Sequence, residues 1–200
     1  MKIIQFFYKK FLLLLVIGVI FIHSSFAFSA AVTEYQLKAA FLFHFFEFVE
    51  WPKTTDDSVN TPFLIGVLGK NPFGSILEET LRNKIVNDKP VKVEYIEELK
   101  NLNKYHILFI SSSKKDSLPE IFQSLQGSHV LTVGETESFN EKGGIINFIL
   151  QGQKVRFSIN NEAAKNAGLK ISSRLLQLAT RLVISWNLFD KRIVMEMGVP

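Results

Sequence analysis

Three short apolar runs, at residues 63–68, 106–110 and 130–133, restrict this chain more than any other feature, because each is continuous where a half-exposed strand would alternate. A strand with no polar side must be covered on both faces, and helical crossovers between parallel strands supply that cover. The segments between the runs have helical character: Ser75-x-x-Glu78 reads as a capping box, and Ser117-Leu118-Pro119-Glu120 opens a second helix that ends at Gly127. Val91, Val93 and Tyr95 alternate with Lys92 and Glu94 just after Pro90, the pattern of an edge or half-exposed strand. The β-α-β-α-β order predicts an α/β fold with a mixed, largely parallel sheet flanked by helices on both faces.

The sheet is expected to finish in an antiparallel hairpin. Residues 145–150 and 154–159 are β-rich and flank Gln151-Gly152-Gln153, a three-residue turn in which Gly152 supplies a positive φ. Pairing across three residues sets Ile149 opposite Val155, Asn147 opposite Phe157 and Ile145 opposite Ile159, and on the other face it lays Arg156 over the ring of Phe148. Asn160 or Asn161 then caps a short helix closing at Gly168. A final amphipathic helix carries Leu175, Leu178, Ala179, Leu182 and Trp186 on one side, and Arg174, Gln177 and Arg181 on the other.

Two hundred residues, 47% of them hydrophobic, suffice for one well-cored domain. The domain is expected at 33–184, behind a leader. Lys2, Lys9 and Lys10 precede an apolar run at 11–22, and Ser25-Phe26-Ala27 offers the small residues that signal peptidase reads, so residues 1–27 form a cleaved signal peptide and the mature chain is exported. The run is short for a membrane span, which takes about 20 apolar residues. Export removes three lysines and leaves a near-neutral protein, and this balance argues against a nucleic-acid partner. There is no Cys to form a disulfide, so the core must carry stability alone.

The helix expected at 33–51, capped by Thr33 and ended by Pro52, is apolar on most of its circumference. Only His44, Glu47 and Glu50 leave a polar edge. Such a helix is a core helix, or shares its aromatic face with a ligand or a partner chain, a homodimer included. His44 has no second ligand near it in sequence. The loop at 66–74 follows a strand, but two residues separate Gly66 from Gly69 and Asn71 follows Lys70, so no phosphate-binding loop is spelled. Neither a nucleophile elbow nor a metalloprotease motif occurs, and no catalytic residue, cofactor or metal site is assigned.

Taken in order, Lys38-Ala39-Ala40-Phe41-Leu42, Phe48-Val49-Glu50-Trp51-Pro52, Ile65-Gly66-Val67-Leu68-Gly69, Pro72-Phe73-Gly74, His106-Ile107-Leu108-Phe109-Ile110-Ser111, Leu131-Thr132-Val133-Gly134, Gly143-Gly144-x-Ile146-Asn147-Phe148, Lys154-Val155-Arg156-Phe157-x-Ile159-Asn160 and Ala167-Gly168-Leu169-Lys170-Ile171-Ser172-Ser173 resemble the YfiR-like family of exported bacterial proteins. The likeness runs from about residue 35 to 183. It implies a periplasmic regulator without enzymatic activity, a repressor acting on the periplasmic sensor region of an inner-membrane diguanylate cyclase and titrated away by an outer-membrane lipoprotein. Members often carry a Cys where Tyr105 stands here, so redox gating is not implied for this chain. The stretch 185–200 lies beyond the likeness and has no assigned role. The alternative reading is a small-ligand sensor with a pocket under the aromatic helix near Asn147 and Arg156. The residues expected to meet a partner or ligand are Phe45, Trp51, Asn147, Arg156 and Asn160.

Overall fold

The computed structural model describes residues 33–52, 61–152 and 154–183. The signal peptide assigned to 1–27, the tail at 185–200 and the Trp186 end of the expected last helix lie outside the described residues.

The first helix, α1 (Glu34–Phe48), starts where the sequence places it. Thr33 is extended at the N-cap and accepts from the Gln36 N–H, while the Gln36 side chain accepts from the Thr33 N–H, so two otherwise orphaned donors are satisfied reciprocally. Its end comes a turn early. Val49 and Glu50 form a two-residue strand, β1 (Val49–Glu50), paired antiparallel with β9 (Lys170–Ile171), and the Ser172 N–H donates to the Phe48 carbonyl. β-branched Val49 suits a strand better than a helix, and Pro52 had already disfavoured a helical Trp51.

The main sheet contains β2 (Phe63–Leu68), β3 (Ile85–Val86), β4 (Lys89–Ile96), β5 (Ile107–Ile110), β6 (Leu131–Gly134), β7 (Ile146–Gln151), β8 (Lys154–Asn160) and β10 (Arg181–Val183), in the order β10-β8-β7-β6-β5-β2-β4-β3. Only the β7–β8 and β3–β4 pairs are antiparallel. The fold is therefore the mixed, largely parallel sheet that the sequence predicts. Continuous runs in β2 and β5 are explained by cover on both faces: Ile107 and Phe109 join the core under α1, and Leu108 and Ile110 join the one under α3 (Leu118–Ser124). Short helices α2 (Ile76–Leu81), α4 (Asn161–Asn166) and α5 (Ser173–Leu178) complete the layers.

Four local expectations are corrected. Ser75 is helical and makes no side-chain cap; Asn71 organises that loop instead, accepting from the Phe73 N–H and donating to the Gly74 carbonyl. The second helix opens at Ser117 after a 3-10 turn at Ser112–Ser117, capped by Ser111, but α3 ends at Ser124, short of Gly127. The last helix stops at Leu178, since Arg181–Val183 pairs in parallel with Ser158, Ile159 and Asn160 and covers part of an otherwise open edge. The fourth correction is the hairpin register. Gln151 pairs with Lys154, so the turn has two residues, and the partners are Leu150 with Val155, Ile149 with Arg156, Phe148 with Phe157, Asn147 with Ser158 and Ile146 with Ile159. A one-residue slip exchanges the faces. In the observed register Ile146, Phe148, Val155, Phe157 and Ile159 all turn to the core under α1, an entirely apolar set, and Phe148 and Arg156 stand on opposite faces.

Gly152 holds φ at +60° with nothing near the place a Cβ would occupy. Gly152→Val therefore tests backbone strain without a clash. The expected cost is about 1–2 kcal/mol, read as a melting temperature lower by several degrees. An unchanged melting temperature would show that the turn relaxes freely.

Candidate functional site

The five residues singled out from sequence do not converge. Phe45 is fully buried and packs on Phe148 and Phe157, at centroid distances of 6.1 and 5.9 Å. Asn160 is also structural: its Oδ1 accepts from the Ala163 N–H at the start of α4, and its amide donates to the Asn140 carbonyl. Asn140 in turn accepts from the Ser158 hydroxyl and donates to the carbonyls of Gly144 and Ile145, sewing the loop after β6 onto β8. Asn147 donates to the Thr136 carbonyl at 3.0 Å, and its buried Oδ1 has no partner among the described residues. Asn147 is buried and Arg156 exposed, and neither lines the groove described below.

Arg156 stands in the open. β6 ends at Gly134, opposite Asn147, and β10 pairs only with residues 158–160 of β8, so the outer half of the hairpin runs past the strands on either side as a free ribbon. On that ribbon Arg156 faces Ile149 across the ladder, next to exposed Lys154 on the same strand and face, while Leu150 points to the opposite face beside Val155. Among the described residues Arg156 has no ion pair. Two cations beside half-buried Ile149 suit a protein surface that carries carboxylates.

A second feature was not read from sequence. Lys38 points from α1 into the protein, 4% exposed, with its Nζ 2.6 Å from Glu135 and also on Glu34. Burial alone would lower its pKa; the hydrogen bonds to Glu135 and Glu34 outweigh burial and raise it. Tyr35 donates to Glu135 at 3.4 Å, and burial followed by the Glu135 charge pushes its phenol up. The signal was present, since Lys38 falls on a stripe with Phe41, Phe45 and Phe48, but the partner is 97 residues away.

A broad concavity of about 1680 Å³ opens at the amino ends of β2, β5 and β6. Open α/β sheets usually hold ligands at the carboxyl ends. Here those ends of β2 and β5 are tied together, with the Lys70 N–H donating to Ser113 and Lys114 to the Glu97 carbonyl. Trp51, Phe63, Tyr105, His106 and His129 line the amino-end groove, Trp51 being the one sequence candidate found there. The Trp51 Nε1 is buried without a hydrogen-bond partner among the described residues. At the rim Glu94 accepts from Lys104 and Tyr105 at 2.6 and 2.8 Å, and these bonds lower its pKa. Among the described residues no group of three or more acidic or His side chains is placed to hold a metal, and no helix is long and apolar enough to cross a membrane.

Comparison with solved structures finds the same kind of fold. A conserved domain protein from Vibrio cholerae O1 biovar El Tor superposes with a TM-score of 0.54 at 11% identity, over 76% of this chain and 60% of that one. The chain thus spans little more than half the length of the structure it matches. An ABC domain from Streptococcus pneumoniae, in complex with L-Trp, gives a TM-score of 0.45 at 13% identity over 60% of this chain and 55% of that one, too low to bear on function. No curated protein matches the sequence at a significant level. The YfiR/HmsC-like family model matches residues 35–180, nearly all of the domain described above, and the chain belongs to that family.

Proposed function

We propose that this protein is a non-enzymatic periplasmic regulator that binds the periplasmic sensor region of an inner-membrane diguanylate cyclase and restrains cyclic-di-GMP synthesis, an outer-membrane lipoprotein relieving the restraint. Family membership across residues 35–180 carries the reading. The outer β7–β8 ribbon is the docking face, because it presents Arg156 and Lys154 beside Ile149 on one side with no oppositely charged partner among the described residues. Arginine near the centre of an interface can contribute about 2 kcal/mol or more, and its planar fork is not replaced by an ammonium. Arg156→Lys is therefore expected to melt with the parent yet bind the cyclase sensor region roughly tenfold or more weakly, measured by titration calorimetry. Equal affinity would move the docking face elsewhere.

A second reading, a small-ligand sensor, is favoured by the Trp51 Nε1 in the amino-end groove, which has no partner among the described residues. A buried donor without a partner costs about 1–3 kcal/mol, which a ligand acceptor would recover.

A further inference from the structure

The hairpin that carries Arg156 is held on its two faces by different means. On the α1 side Phe148 and Phe157 pack against Phe41 and Phe45, a contact without direction. The ladders to the rest of the sheet are short: Val133 and Gly134 of β6 pair with Ile146 and Asn147, and β10 reaches Ser158, Ile159 and Asn160. Ile149 and Arg156 lie beyond both. The other face is fastened by hydrogen bonds to the loop between β6 and β7, centred on Asn140, which is 2% exposed.

The Asn140 amide is fully committed. Its Nδ2 carries two hydrogens and faces two carbonyls, Ile145 at 2.9 Å and Gly144 at 3.2 Å, while its Oδ1 accepts from the Ser158 hydroxyl. Its main-chain carbonyl accepts from the Asn160 amide at 2.9 Å. One residue thus grips the entry to β7 and the end of β8 together. Carbonyls only accept and the hydroxyl is left to donate, so a primary amide satisfies all three neighbours where a carboxylate or a hydrocarbon of the same shape does not. Ser158 and Arg156 are two residues apart on β8, so their side chains share a face about 7 Å apart along the strand. A change in how Ser158 is held therefore moves the guanidinium.

We infer that Asn140 is a positioning residue for the docking ribbon: by bonding both strands of the hairpin at their root it fixes the direction in which Arg156 and Lys154 point, without itself touching the partner. Packing under α1 keeps the hairpin folded but leaves its tilt open; the amide closes that freedom. Loss of the amide therefore costs affinity in molecules that are still folded. For affinity the inference rests on the docking role proposed for Arg156, whereas the direction of the ribbon is read without any partner.

The test is Asn140→Asp in the whole protein. Protonated, the new acid restores most of the grip, its O–H donating to Ile145 and its other oxygen accepting from Ser158; ionised, it sets a negative charge against two carbonyls. The charged groups nearest along the chain, Glu137, Glu141 and Lys142 on the loop and Arg156 on β8, are exposed. Burial raises the carboxyl above its ordinary range, so pH 8 and pH 5 sample its two forms. Residual dipolar couplings of the Ile149, Leu150, Val155 and Arg156 amides against those of β5 give the direction of the ribbon, and calorimetry with the cyclase sensor region gives affinity, both below the onset of unfolding. The parent should keep one direction and an affinity constant within about threefold. Asn140→Asp should show a turned ribbon and roughly tenfold weaker binding at pH 8, and return toward the parent in both at pH 5. Ser158→Ala, which removes only the donor to Oδ1, should shift the same couplings less, and it decides alone if Asn140→Asp does not fold. Parent-like couplings at pH 8, or a shift that persists unchanged at pH 5, overturn the positioning role. Couplings that shift and return while the parent itself fails to bind the sensor region support it and overturn the docking reading instead.

Discussion

Phe45→Ala should bring the domain close to unfolding. Phe45 has no exposed surface; it stacks on Phe148, meets Phe157 edge-on, and lies 6.3 Å from Phe41 on its own helix. Truncation removes the ring and leaves a cavity between α1 and the hairpin, where the strands cannot collapse inward because their backbone ladders fix them. Substitutions of this kind cost about 3–5 kcal/mol against a total stability of about 5–15 kcal/mol. Urea denaturation should move the midpoint down by well over 1 M, given slopes of about 1–3 kcal/mol/M. Phe41→Ala is the internal comparison, since Phe41 is only partly buried and should lose less. Equal losses at the two positions would mean that α1 does not pack on the hairpin through Phe45.

The buried lysine gives the second large effect, and its sign changes with how many partners are removed. Glu135→Leu leaves the Lys38 ammonium in a nearly closed site with Glu34 as its remaining carboxylate. Breaking one side of a buried pair typically costs about 3–5 kcal/mol, and the Glu34 carboxylate left on Lys38 puts this loss toward the lower end. Lys38→Met alone strands the Glu135 carboxylate beside the Tyr35 hydroxyl and should cost less, since Glu135 stands nearer the surface than Lys38. The double variant removes the pair and should recover most of the loss; a coupling of about 2 kcal/mol or more is expected. Additive losses would mean that the three side chains do not act as one unit. The linkage sign is also fixed. Lys38 has a raised folded pKa, so its contribution is complete below the unfolded value and fades only as pH rises through the folded one, above the ordinary lysine range.

The sequence spelled out those parts of the fold that depend on local pattern. Continuous apolar runs in β2 and β5 meant cover on both faces, and Thr33 with Gln36 carries its cap in four residues. What failed was decided at a distance. Val49 leaves α1 because Ile171 waits opposite it, and Arg181 leaves the last helix because the edge of β8 is open. The hairpin register turned on one residue: Gln151 reads as a turn position, yet pairing it with Lys154 sends an all-apolar set inward where the three-residue turn would have sent Asn147. Burial of the whole face outweighs the preference of one glutamine. The candidate site was less legible still. Arg156 was marked for its place among apolar strand residues and proves exposed, but Trp51 belongs to a groove assembled from residues around 51, 63, 105 and 129, whose meeting no local period announces. Lys38 shows on the apolar stripe of α1, but its pairing with Glu135 is invisible for the same reason.

The account rests on a regulator that holds cyclic-di-GMP synthesis down from outside the cytoplasm. Direct quantification of cyclic-di-GMP in cells lacking the gene, and in the same cells supplied with the parent or with Arg156→Lys, tests it most directly. Deletion should raise the nucleotide, the parent should return it to the starting level, and Arg156→Lys should restore it only in part. Levels that do not change on deletion under several growth conditions would contradict the account and leave the groove around Trp51 and His106 as the functional centre.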